Sequence, residues 1–289
     1  MIKSLTVFSL LGLMAIPGLA LEYAYPPQDP QKTGWPLTAE QEAYMAKAEY
    51  ERRPGAEKGK YLPQLWPVVP SGQSWGGRGY IDMHASLVKK VQANQGPCDV
   101  LLVGDSITIQ FERDMEGVEN WKAQFPTYKG VNIGVGGDRT QSVLWRLDHG
   151  GADGLEPRSI VLMIGNNNMF FVPETGVEAA AKGVKVCVDR LREQFPKVPI
   201  IVAKILPCGA PGEDFYENIK KTNAVIDTLG LTNDPLVHMV DAWGDLVNAD
   251  GTIKTDLFMP DKIHLNKEGY AVYAQKLRPI LDGILAPQK

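Results

Sequence analysis

Cysteine and histidine are scarce in this chain, and several reactive patterns are missing altogether. Three cysteines and four histidines occur in 289 residues. No Cys-x-x-Cys or His-Glu-x-x-His string is present, which excludes the common zinc patterns, and no metal is expected. No glycine string has Gly-x-Gly-x-x-Gly spacing, so no dinucleotide cofactor is expected. Long basic runs are lacking too. The formal net charge is −4 and the pI about 5.7. A nucleic-acid partner is therefore not expected. Beyond residue 20 no apolar run approaches the roughly 20 residues a membrane span needs.

What is present is an ordinary globular composition, 44% hydrophobic and 22% charged, at a length that suits one large domain or one domain with an extension. The first twenty residues read as an export signal. Lys3 is followed by the apolar stretch Leu5 to Ile16, and Gly18 and Ala20 are small residues at a cleavage-like site. Residues 1–20 are thus expected to be removed, leaving a secreted or periplasmic protein with no stable membrane insertion. The odd cysteine count then leaves at least one thiol unpaired. Cys98, Cys187 and Cys208 lie in no reactive motif and read as structural.

Residues 21–78 are rich in Pro, Trp and Tyr and carry one expected helix, started by a Thr38/Gln41 capping box and stopped at Pro54-Gly55. This stretch is expected to pack on the main domain, residues 79–289. There, short apolar runs alternate with helical stretches. Strands are expected at Asp99–Val103, Val131–Ile133, Ser159–Ile164, Val198–Ile205 and Leu236–Val240. Helices are expected at about 138–149, 174–195, 213–229 and 266–285, the last capped by Asn266. Such alternation predicts an α/β fold with a parallel sheet covered on both faces. Ligands in such sheets bind outside the carboxyl ends of the strands.

The motifs follow those strand ends. Gly104-Asp105-Ser106 puts a serine at a strand end that opens a helix, where N–H groups favour a nearby negative charge. The string is also an ordinary helix cap. Gly134-Val135-Gly136-Gly137-Asp138 could bring backbone N–H groups close to a ligand, or simply turn the chain. Asn166-Asn167-Asn168 offers amide donors, or an Asn-rich turn. Asp261-Lys262-Ile263-His264 sets a carboxylate three residues before a histidine, close enough to orient the imidazole for a serine.

Taken together and in this order, these four blocks resemble the SGNH (GDSL-like) hydrolases. Val103–Thr108, Gly136–Thr140, Val143–Leu147 and His264-Leu265 are similar to the platelet-activating-factor acetylhydrolase-like branch, and the resemblance covers about residues 79–285. It implies a three-layer α/β/α, flavodoxin-like fold with about five parallel strands. It also implies Ser106 as nucleophile, His264 as general base and acid, and Asp261 as the group orienting His264. The oxyanion donors it implies are the N–H groups of Ser106 and Gly137 and the side chain of Asn167, with Asn168 as the alternative. Asn166 stands where that branch usually has Thr, which loosens the register of the Asn block. Asp105, Asn168, Met169 and Phe170 are candidate substrate contacts, although Asp105 also suits a cap and Met169-Phe170 could merely cover the sheet. Asp138 and Arg139 are expected to form a structural pair, and Trp145 to pack in the core.

The implied reaction is a two-step ester hydrolysis without cofactor. The expected substrate is a small ester or acetylated glycan, with release of O-acetyl groups from carbohydrate preferred. A short-chain phospholipid or general carboxylesterase is the alternative, and a non-catalytic glycan-binding protein a more distant one.

Overall fold

The computed structural model describes residues 80–171 and 176–286, with the side chains of residues 80–82, 170 and 171 excepted. The expected signal segment, the Thr38 helix and the whole of the 21–78 extension lie outside the described residues.

Five strands form one parallel sheet in the order β2-β1-β3-β4-β5. They are β1 (Gly96–Gly104), β2 (Gly130–Asn132), β3 (Leu155–Met163), β4 (Ile200–Ala203) and β5 (Val237–Val240). The longer helices are α1 (Tyr80–Ala93), α2 (Ser106–Glu112), α4 (Thr140–Asp148), α6 (Gly176–Gln194), α7 (Asp214–Thr228) and α9 (Lys267–Leu285). Short helices α3 (Asn120–Gln124), α5 (Asn166–Phe171) and α8 (Trp243–Leu246) complete the set.

The strands are buried on both faces, and their period of two divides the apolar side chains between two cores. Leu101, Val103, Ile160, Leu162, Ile200 and Val202 enter one, with Val143 and Trp145 of α4, Ala180 and Leu191 of α6 and Ile219 of α7. Their neighbours Val100, Leu102, Val161, Met163, Ile201 and Ala203 enter the other, with Ile107 and Phe111 of α2 and Tyr270, Leu277 and Leu281 of α9. Each Val, Leu, Ile, Phe or Met side chain among them, fully buried, contributes about 1.5–3 kcal/mol of transfer free energy. A three-layer α/β/α architecture results, as the sequence predicts.

Boundaries shift in informative ways. β1 begins at Gly96 rather than Asp99, so Cys98 lies inside the strand. Gly96 (φ 85°) and Gly154 (φ 76°) take left-handed turns, and the Gly96 N–H donates to the Gly154 carbonyl at 2.8 Å. That bond lengthens the β1–β3 ladder beyond the apolar runs. Helix α1 was not anticipated, although Met83, Leu87 and Val91 recur at helical spacing on a face that packs on the first core. All three cysteines are free and buried. Burial pushes their thiols upward, Cys98 to about 11.

Candidate active site

Ser106 owes its position to the residues just before it. Gly104 ends β1 where a Cβ would meet the Met163 carbonyl and Thr108 Oγ1, each at 2.1 Å. Only glycine lets strand β1, strand β3 and the first turn of α2 approach so closely. Asp105 is the N-cap, its Oδ1 accepting the Ile107 N–H at 3.0 Å. Ser106 is thereby the first residue of α2, half-buried at the carboxyl end of the sheet.

His264 reaches it from the loop before α9. Its Nε2 lies 2.8 Å from Ser106 Oγ. Its Nδ1 lies 2.7 Å from Asp261 Oδ2. The carboxylate can only accept when ionised, so Nδ1 carries the proton and Nε2 is left to accept from the serine hydroxyl. The other carboxylate oxygen, Oδ1, accepts the Ile263 N–H at 2.9 Å and the His264 N–H at 3.0 Å. Burial by itself would raise the Asp261 pKa. The hydrogen bonds from the His264 ring, His264 N–H and Ile263 N–H outweigh it and hold the carboxyl below its usual value.

The loop that presents this pair is closed on itself. Lys262, between its two members, takes the left-handed region at φ 59°. The Met259 N–H donates to the His264 carbonyl at 2.7 Å, and the Gly209 N–H donates to the Lys262 carbonyl at 3.1 Å. At its end Asn266 caps α9, accepting the Gly269 N–H at 3.0 Å.

A second block adjoins the serine, and a third reaches that block through Asp138. In the turn after β2, Gly137 has φ 77°, and a Cβ on Gly136 would stand 3.9 Å from the Ser106 Cβ. Gly136 and Gly137 are both half-buried. After β3, the three asparagines open α5 and diverge. Asn166 is buried and donates to Cys208 Sγ at 3.5 Å. Asn168 is buried, its Oδ1 accepting the Thr140 N–H at 3.2 Å and its Nδ2 donating to Thr140 Oγ1 at 3.0 Å. Asn167 alone of the three is half-buried. Its Nδ2 donates to the Asp138 carbonyl at 3.0 Å, and an amide nitrogen has a second hydrogen to offer.

Some expected substrate contacts lie elsewhere. Asp105 is 0% exposed and points into the protein. Its Oδ2 has no hydrogen-bond partner among the described residues, and burial raises its carboxyl to about 7. The cap geometry that exposes Ser106 turns its neighbour inward. Asn168 is committed to α4, and Met169 is buried in the first core, where it accepts from Thr222 Oγ1 at 3.3 Å. None of these three side chains faces a surface that a substrate can reach. The Phe170 side chain lies outside the described residues.

Asp138 has a charged partner beyond the neighbouring Arg139. Asp138 Oδ2 accepts from Nε of Arg146 at 2.7 Å, eight residues on. The signal for Arg146 was a charged residue inside the apolar run Val143–Leu147, which demands a buried partner.

A serine hydroxyl held against an imidazole nitrogen, the ring itself held by a carboxylate, is equipped to attack a carbonyl carbon. Among the described residues, no cluster of three or more His, Cys, Asp or Glu is arranged to hold a metal ion. No helix among them is long and apolar enough to cross a membrane.

Comparison with known proteins follows the same lines. The sequence profile of the GDSL-like Lipase/Acylhydrolase family matches residues 102–272. The human platelet-activating factor acetylhydrolase IB subunit alpha2 is 33% identical over 188 residues, 65% of this chain and 77% of that protein. A GDSL-like lipase from Bacteroides thetaiotaomicron superposes with a TM-score of 0.52 at 18% identity, covering 71% of this chain and 97% of the lipase. An acetylxylan esterase from Geobacillus stearothermophilus superposes with a TM-score of 0.50 at 16% identity, covering 65% and 95%. The two superpositions show a shared fold. With the profile match spanning both the Ser106 and the His264 blocks, the chain belongs to the GDSL-like lipase/acylhydrolase family, in the branch of the platelet-activating-factor acetylhydrolases.

Proposed function

We propose that the protein is a serine esterase that hydrolyses short-chain, chiefly acetyl, esters through an acyl-enzyme on Ser106. The observation that carries this reading is the Ser106–His264–Asp261 chain of contacts, at 2.8 Å and 2.7 Å. Ser106 Oγ attacks the ester carbonyl carbon while His264 Nε2 takes its proton. Asp261 keeps the ring in the required tautomer and stabilises the imidazolium. The oxyanion of the tetrahedral intermediate is received by the Ser106 N–H, the Gly137 N–H and the Asn167 amide, each donor worth about 3–4 kcal/mol of barrier. His264 returns the proton to the departing alcohol, and water then releases the acid by the same steps in reverse order.

The acetyl preference follows the relatives, which are named acetylhydrolases. For the alcohol we favour a carbohydrate bearing O-acetyl groups. The export-like pattern of residues 1–20 supports a secreted or periplasmic setting, which suits a polymeric carbohydrate substrate. A second reading, a short-chain phospholipid, is favoured by the same relatives' names.

Hydrolysis of p-nitrophenyl acetate, butyrate and octanoate, beside Ser106→Ala, tests the proposal. Turnover should be greatest with acetate and vanish in Ser106→Ala; turnover unchanged in that variant refutes the nucleophile. Release of acetate from an acetylated glycan, compared with a short-chain phospholipid, then decides the alcohol.

A further inference from the structure

We propose that Arg146 is a positioning residue for the oxyanion hole: its guanidinium fixes the spacing between the segments that carry the three donors. The inference rests on the serine-esterase reading above. Arg146 is 0% exposed, as is the Asp138 side chain it pairs with. Nε and Nη2 both reach Asp138 Oδ2 at 2.7 Å. Nη1 donates to the Ile133 carbonyl at 2.8 Å and Nη2 to the Gly104 carbonyl at 3.4 Å.

Those acceptors belong to the segments that bear the donors. Gly104 lies two residues before Ser106. Ile133 and Asp138 flank the turn that contains Gly137, and Asp138 follows Gly137 directly. The third segment joins through Asp138 itself, whose main-chain carbonyl accepts from Asn167 Nδ2 at 3.0 Å. The Gly104 carbonyl also accepts the Val135 N–H at 3.1 Å. One guanidinium thus spans the end of β1 and the turn after β2, and through Asp138 it holds the residue that holds Asn167.

Stability alone does not account for such a residue. A buried ion pair is often replaceable by apolar side chains without loss, because desolvation offsets the attraction. Arg146 is flanked by Trp145 and Leu147, each 1% exposed, so its neighbours are already apolar. What an apolar residue cannot supply is a planar fork of N–H groups in fixed directions. A hole for a developing oxyanion needs that property, since its donors work through preorganisation.

The test is a double-mutant cycle on the full chain, combining Arg146→Lys with Asn167→Ala. Lysine keeps the charge and loses the fork. Turnover of p-nitrophenyl acetate is measured per active serine, counted by labelling with a fluorophosphonate. Arg146→Lys should lower kcat about 10- to 100-fold with KM within about threefold, a fraction of what losing a donor outright costs. The double variant should lose less than the product of the two single losses, because both act through Asp138. A merely structural role predicts fewer active serines, wild-type kcat per serine and multiplicative losses, and that result overturns the proposal. If Arg146→Lys does not fold, Asp138→Asn, which keeps the side-chain shape, is judged by the same two criteria. A wild-type chain that neither labels nor turns over, or that labels equally as Ser106→Ala, refutes the serine-esterase reading instead.

Discussion

His264 Nε2 and Ser106 Oγ stand 2.8 Å apart although 158 positions separate them in the sequence. The contact joins the start of α2 to the loop before α9. Replacing Ser106 by Ala should lower kcat on the order of 10⁴-fold or more while leaving the fold intact. Asp261→Asn should come close to this, on the order of 10⁴-fold, because an amide that donates to Nδ1 selects the wrong tautomer of His264. Steady-state kinetics with p-nitrophenyl acetate checks both. An Asp261→Asn protein within tenfold of the wild type would remove Asp261 from the mechanism.

Asn167 and Asn168 should separate cleanly. Asn167→Ala removes a half-buried amide that bonds the Asp138 carbonyl, and with it the proposed third oxyanion donor, so kcat should fall about 10²- to 10³-fold with little change in melting temperature. Asn168→Ala removes the buried side chain that accepts the Thr140 N–H and donates to its hydroxyl. It should cost about 1–3 kcal/mol of stability. Thermal unfolding and kcat, measured on both variants, would show the reverse pattern if the register of the asparagine block were wrong.

Asp105 gives stability an unusual pH dependence. Its carboxyl is raised from 3.8 to about 7, first by burial. Between those values the folded chain keeps a proton that the unfolded chain has released, so stability falls as pH rises from about 4 to 7. The penalty above pH 7 is on the order of 4 kcal/mol. Asp105→Asn retains the cap acceptor and cannot ionise. Relative to wild type it should gain stability across that window in urea titrations, and a pH-independent difference would contradict the burial account.

His84 works in the opposite sense. Burial lowers its pKa from 6.5 to about 4, and its Nε2 donates to the His149 carbonyl at 2.9 Å. The unfolded chain takes up a proton below 6.5 that the folded chain refuses until about 4. Stability is therefore lost as pH falls through this range, by up to about 3 kcal/mol. His84→Gln keeps a donor for the carbonyl and should flatten the acid limb of the unfolding curve; an unchanged limb would assign acid sensitivity to other groups.

Much of this was readable beforehand, and the failures have a common cause. Val100 to Val103 announce a strand buried on both faces, and Ser106, Gly137, Asn167 and His264 follow strand ends or precede the last helix as expected. What stayed hidden was the direction in which polar side chains point. Asp105 adjoins an accessible serine yet is sealed inside, because the cap turns it toward the backbone of α2. Asp138 reaches Arg146, across two turns of α4. Adjacent asparagines in a helix point about 100° apart, so Asn166, Asn167 and Asn168 meet three different environments. Apolar periodicity reports which face is buried and says nothing of the partner that a polar group finds there.

The loop before α9 and the helix that opens at Ser106 depend on the same element. Asp261 and His264 come after every strand of the sheet, and they are set by the capping of the helix that follows, with Asn266 on Gly269 and Tyr270 Oη donating to the Ile107 carbonyl at 2.7 Å. Ile107 and Phe111, just after the serine, share their core with Tyr270, Leu277 and Leu281 of α9. One helix therefore both seals α2 behind Ser106 and sets the loop that carries Asp261 and His264, so a change that loosens α9 disturbs both ends of the Ser106–His264 contact together.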